Sequence, residues 1–250
     1  MCPLIYYVFH TSKKHIHFLI LIFIFLILLS NPLKAQNENN IKNRIWGDLY
    51  VTHIFNEHFR INPYLSYRGL AGDTGWKQYV FNPDFIFTWN DIIYLRGGVF
   101  FQYTDDHNKK LFEVRTVQGI IVFFPRIKGF FLQHSLKLEE RFIYKIGEDS
   151  SNYSTRLRYY LQAFIPLNNH YIKDHTLYVW PGMEIFMTLT GNNPERFINQ
   201  SWIHIGLGYK FSKHYRFEFC YMQQELRNDY KSDFKTTDRM FKLVNRITIF

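Results

Sequence analysis

Charged residues recur at every second position in stretches that are otherwise apolar. In "RLRYYLQAFI" (156–165) Arg156 and Arg158 stand two apart, "LEERF" (138–142) carries Glu139 and Arg141, and "FEVR" (112–115) carries Glu113 and Arg115. Residues i and i+2 of an extended strand project from one face, so each pair shares a side. Together with Arg60, Arg96, Glu184 and Glu218, also placed mid-segment, they define a candidate charge network of mixed sign. Two kinds of chemistry fit it. One is a constriction that selects charged solutes, with the arginine excess favouring anions. The other is a set of buried pairs that fill a narrow interior, where an unpaired charge is expensive.

Other reactive constellations are weaker. "QHSLKLEE" puts His134 beside Ser135, but neighbours on a strand point to opposite faces, and no G-x-S-x-G elbow occurs. His53, His170, His175, His204 and His214 fall mostly near expected turns, and His170 and His175 lack a Cys or carboxylate cluster at zinc spacing. Trp46, Trp89, Trp180 and Trp202 read as girdle or interior packing. The expectation is therefore no enzyme, no metal and no cofactor.

The elements that position these charges are strands. In "YVFNPDFIFTW" Tyr79, Phe81, Pro83, Phe85, Phe87 and Trp89 occupy one face, and Val80, Asn82, Asp84, Ile86 and Thr88 the other. "TRLRYYLQAFI" sets Leu157, Tyr159, Leu161, Ala163 and Ile165 against Arg156, Arg158, Tyr160 and Gln162, and "RINPYLSYR" (60–68) alternates likewise. Similar segments run from Ile45 to Phe55, Ile92 to Thr104, Phe112 to Phe124, Phe131 to Tyr144, Thr176 to Thr188, Phe197 to Phe211, Tyr215 to Gln224 and Arg239 to Phe250. No stretch after residue 35 has helical periodicity.

The N-terminus reads differently. Lys13 and Lys14 precede the apolar run "FLILIFIFLILL" (18–29) and then "SNPLKAQ", with a small residue at Ala35. This is the form of a cleaved secretory signal, and the run is shorter than the ~20 apolar residues of a membrane span. Residues 1–35 are thus expected to be a signal peptide, 36–44 a short polar segment and 45–250 one β domain. Cys2 would leave with the signal, so Cys220 has no partner and a disulfide framework is excluded. The formal net charge of +9 survives the loss of Lys13, Lys14 and Lys34 as a positive balance. An anionic lipid surface suits it; after export, nucleic acid does not.

Aromatic residues make up 20% of the chain, which leaves two architectures. Either a transmembrane barrel shows its aromatics to lipid, or a soluble barrel turns them onto an apolar ligand inside. Strand segments of this length cross a bilayer when tilted, whereas sandwich strands average five or six residues. The expected fold is an all-β antiparallel transmembrane barrel of about 10–12 strands. Tight links ("NEH" 56–58, "ND" 90–91, "PRIKG" 125–129, "SKH" 212–214) alternate with longer ones ("AGDTGW", "DDHNKK", "KIGEDSSNYS", "GNNPER" and 225–238), the habit of outer-membrane barrels. Eleven segments are read, but the even-count rule favours ten or twelve.

"LEERF" at 138–142, "RLRYYLQAFIPL" at 156–167, "MEIF" at 183–186 and "GLGYKF" at 206–211 resemble an uncharacterised family of bacterial outer-membrane β-barrels, a domain of unknown function. The resemblance implies a bacterial outer-membrane location with lipid as surroundings, and a terminal aromatic, here Phe250, presented to the barrel-assembly machinery. It implies no activity. Phe241, Leu243, Ile247 and Ile249 lie out of register with Phe250, and a bulge near Asn245 would reconcile them. The expected role is a narrow channel, a binding surface or a structural envelope protein; the alternatives are a barrel-embedded lipid hydrolase and a soluble periplasmic barrel holding an apolar ligand.

Overall fold

Alternating apolar and polar side chains hold a strand in one register when its two faces meet different surroundings. The computed structural model describes residues 41–107, 109–124, 129–190, 198–228 and 231–250, and no helix occurs among them. The strands are β1 (Lys42–Ile54), β2 (Phe59–Ile61 resuming as Tyr64–Leu70), β3 (Asp73–Asn82 resuming as Asp84–Thr88), β4 (Ile93–Asp106), β5 (Lys109–Phe123), β6 (Phe131–Lys145), β7 (Ser151–Pro166), β8 (Thr176–Thr188), β9 (Ile198–Lys210), β10 (Tyr215–Leu226) and β11 (Lys235–Ile249). Proline causes both interruptions, since Pro63 and Pro83 have no N–H to give the ladder. The halves stay aligned because Asn62 N–H donates to the Asp84 carbonyl at 2.7 Å and Val51 N–H to the Pro63 carbonyl at 3.0 Å. Opposite the second break stands Gly98, where a Cβ would fall 3.2 Å from Asp84 Cα; a larger residue would push the broken strand off its neighbour.

Strands consecutive in the chain pair antiparallel from β1 to β11. β1 then pairs with β11 in parallel, from Lys42↔Asp238 to His53↔Ile249, and closes an eleven-stranded barrel. This corrects the preference for ten or twelve strands. In an up-and-down meander with an odd strand count, the first and last strands run the same way, so closure needs a single parallel seam, which evenly spaced slanted hydrogen bonds supply. Lys42, Asn43 and Arg44 lengthen β1 and do not form a further crossing. Residues 1–40, with the expected signal peptide, lie outside the described residues.

The seam is directly testable. Leu49 stands opposite Asn245, and neighbouring strands bring such pairs within disulfide reach. In a Cys220→Ser background, Leu49→Cys with Asn245→Cys is expected to cross-link on oxidation, seen as a non-reducing gel shift. Leu49→Cys with Phe241→Cys, offset along the strand, is expected to stay open. The reverse pattern would mean a different closure.

At the end where β1 runs out, one turn design repeats. Asn56 Oδ1 accepts from the N–H groups of His58 and Phe59 at 2.9 and 2.8 Å, Asn90 Oδ1 from Ile92 and Ile93 at 2.9 and 2.7 Å, and Ser212 Oγ from His214 at 3.2 Å. Short side-chain acceptors mimic a backbone turn in this way. At the opposite end two links expected to be long are tight. β3 already begins at Asp73, which leaves a turn at Ala71 and Gly72 with Gly72 at φ 81°. β4 and β5 continue to Asp106 and from Lys109, because Asp105↔Lys110 and Asp106↔Lys109 set opposite charges across the ladder. Hydrophobic alternation stops there, but strand pairing does not. Residues 125–128 of "PRIKG" and the "GNNPER" stretch lie outside the described residues.

His107, at φ 54° beyond β4, lies 3.1 Å from Asp106 and 3.4 Å from Asp73. The hydrogen bond to Asp106 and the charge of Asp73 raise its pKa above the ordinary 6.5. The interaction is fully present below the unfolded-state value and is lost as pH rises through the raised one. An NMR titration of the imidazole is expected to give a midpoint above 6.5 that falls in Asp106→Asn.

Candidate functional site

The barrel faces divide by chemistry. Outside lies a band of half-exposed Leu65, Tyr67, Tyr79, Phe81, Phe85, Phe87, Leu136, Ile203, Leu207, Phe219, Phe241 and Leu243. Inside are buried Asp48, Asp84, Glu113, Arg115, Glu139, Arg156, Glu184, Glu218 and Asp238. Three apolar clusters pack between these charges: Tyr64, Val80, Phe100 and Val117; Trp46, Met222 and Met240; and Tyr178, Trp180 and Cys220.

The expected charge network divides into groups. β6 and β7 set Glu139 opposite Arg156, and the carboxylate accepts from Arg156 at 2.6 Å and Arg158 at 2.5 Å. Arg158 reaches on to Glu184 of β8 at 2.8 Å, where Lys137 also approaches at 3.4 Å. Glu113 is shared by Arg115 and Arg141, each at 2.6 Å. Arg96 grips Asp84 with two hydrogen bonds of 2.6 and 3.2 Å. Glu218 is held by Arg246 at 2.9 Å, Arg216 at 3.7 Å and the Tyr178 hydroxyl at 2.6 Å. Arg60 stands apart, its guanidinium 5.1 Å from the centre of the Tyr94 ring. Charged groups at these depths are tolerated because each carboxylate is met by one or more cations and by hydrogen bonds.

Several partners were not foreseen. Lys242 binds Asp48 at 2.5 Å, Ser66 donates to the same carboxylate at 2.6 Å, and Arg44 binds Asp238 at 2.5 Å while stacking on Trp76. Lys242 and Arg246 were legible by parity, since they alternate with Phe241, Leu243 and Ile247. Their partners come from strands distant in sequence, which spacing does not reveal.

His134 and Ser135 point to opposite faces. His134 Nδ1 lies 2.5 Å from the Tyr159 hydroxyl on the outer face, whereas Ser135 is buried inside. Among the described residues no group of three or more His, Cys, Asp or Glu is placed to hold a metal ion. Phe250 lies one residue past β11, 63% exposed, with its ring 5.5 Å from that of His214. The bulge expected near Asn245 is not there: Asn245 pairs regularly with Phe217, and the register shift falls between Gln224 and Glu225. Phe250 is out of step because the strand has already ended.

The interior keeps a cavity of about 800 Å³. It runs from Arg44 and Gln200, past Trp46, Arg158 and Glu184, to Ser212 and Lys213 at the turn end. Such a space can hold water, ions or a small polar solute, and its charged walls set which.

No curated protein matches the sequence. Residues 43–235 match a family described as a protein of unknown function, DUF2490, and the match runs from the start of β1 to the first residue of β11. With most of its barrel inside that match, the chain belongs to the DUF2490 family of proteins of unknown function.

Proposed function

We propose that this protein is a β-barrel of the bacterial outer membrane, whose charge-lined interior serves as a narrow, solute-binding passage and not as a wide pore. The observation that carries the reading is the facing of the strands. Apolar and aromatic side chains form the outer band and ion pairs form the interior, the arrangement a barrel needs in lipid. A soluble barrel with an apolar ligand inside would need the reverse. Closure satisfies the backbone without free edges, and strands such as β7, with 16 residues, exceed the ~9–11 residues that cross a bilayer. The ion pairs crowd the interior, as in small barrels packed by side chains. The expected signal at residues 1–35 suits export by the same route.

The test is to express the full chain in a diderm bacterium, separate the membranes and run the outer-membrane fraction with and without boiling. Outer-membrane location with heat-modifiable migration is the expected result, followed in planar bilayers by conductance well below that of an open porin. Recovery in the soluble periplasmic fraction would refute the proposal.

A further inference from the structure

The ion pairs of the interior are layered. In each of them the carboxylate lies deeper, with side-chain exposures of 0–6% against 9–37% for the cations. Cations also outnumber their partners, since Glu139, Glu113 and Glu218 each meet two. Arg60 and Arg68 line the same cavity with no carboxylate at ion-pair distance among the described residues. Arg68 is held by Gln78, the Tyr64 hydroxyl and Ser66, and lies over the Trp46 ring at 4.0 Å. The carboxylates thus act as a backing that fixes a cationic inner surface.

Aromatic side chains share this wall. Trp46 and Trp180 line the cavity at 5% and 4% exposure, and Lys242 Nζ lies 5.7 Å from the centre of the Trp46 ring.

We propose that the interior is a binding site for a small polyanion whose phosphate or carboxylate oxygens take the guanidinium donors of the cavity wall. Arginine forks suit both oxygen geometries, and the cavity's volume limits the occupant to a small solute. The proposal deepens the passage reading by naming its solute class, yet it concerns the folded barrel whichever membrane or compartment holds it.

The experiment uses the full-length protein folded in detergent, with Trp89→Phe to remove the outward reporter and heat-modifiable migration as an independent check of folding. Tryptophan emission is followed against inorganic pyrophosphate, citrate and, as a polycation control, spermidine. A saturable response to pyrophosphate, to citrate or to both, absent with spermidine, is expected, and the stronger arm identifies the oxygen chemistry. Arg60→Gln with Arg68→Gln is expected to weaken it at least tenfold. Arg60→Gln alone, which removes a guanidinium 5.1 Å from the centre of the Tyr94 ring, serves if the double variant does not fold, with several-fold weakening expected. Heat-modifiable protein that ignores both anions, answers spermidine equally, or binds unchanged in the variants would overturn the proposal. Loss of heat-modifiability in the parent would instead count against the outer-membrane reading.

Discussion

Leu243→Arg is expected to destabilise the barrel by about 2–4 kcal/mol in a lipid bilayer, the cost of a cation near the midplane on the lipid face. Leu243 lies mid-strand in β11, half-exposed on the outer face between Gly47 of β1 and Phe219 of β10. Gly47 gives an arginine stem no side chain to lean on. In water the same substitution on an exposed strand face would change stability by only about 0.5 kcal/mol, so the size of the effect reports the solvent around the band. Urea unfolding of the protein in phosphatidylcholine bilayers measures it. A cost close to the aqueous value would mean that the outer band does not meet lipid.

Glu139→Gln is expected to cost about 3–5 kcal/mol, because it leaves Arg156 and Arg158 facing each other without their shared carboxylate. Glu139 is 1% exposed and accepts from both guanidinium groups; glutamine keeps the shape but neither the charge nor the second acceptor oxygen. Arg158 retains Glu184, whereas Arg156 has no other carboxylate within an ion-pair distance among the described residues. Arg141→Gln is the comparison: Arg141 is more exposed, and Glu113 keeps Arg115 when it is lost, so about 1 kcal/mol is expected. A heat-modifiability midpoint, read by gel after graded heating, ranks the variants. Replacing Glu139 and Arg156 together by Gln and Met is expected to recover part of the loss, since the second change removes the stranded cation.

The reach of the sequence differs between elements. The middle of β7 was legible, because "RLRYYLQAFI" alternates without a break and Arg156 and Arg158 must then share a face, but the strand begins at Ser151, inside the stretch "KIGEDSSNYS" expected to be a long link. β2 and β3 were legible despite Pro63 and Pro83, since parity continues across each proline. The ends were less so: β3, β4 and β5 continue beyond the hydrophobic alternation through the charged residues Asp73, Asp105, Asp106, Lys109 and Lys110. Cross-strand charge pairing holds the ladder between β4 and β5, and a tight turn at Gly72 starts β3 opposite Leu70; neither leaves a period-two hydrophobic signal.

The same division applies to the candidate site. Side-chain parity along each strand placed Arg60, Arg96, Glu113, Arg115, Glu139, Arg141, Arg156, Arg158, Glu184 and Glu218 on polar faces, a local property written in spacing; that those faces line the interior is a property of the closed sheet. Which of them meet is not local. Glu218 binds Arg246 across the β10 and β11 pair, Lys242 finds Asp48 across the parallel seam, and Arg60 is left on Tyr94. The sequence by itself determined strands, their two chemically distinct faces and the sign of the charges. Tertiary structure alone decided the strand count, the parallel closure and the ion-pair partners, because those depend on where distant strands are brought together when the sheet closes.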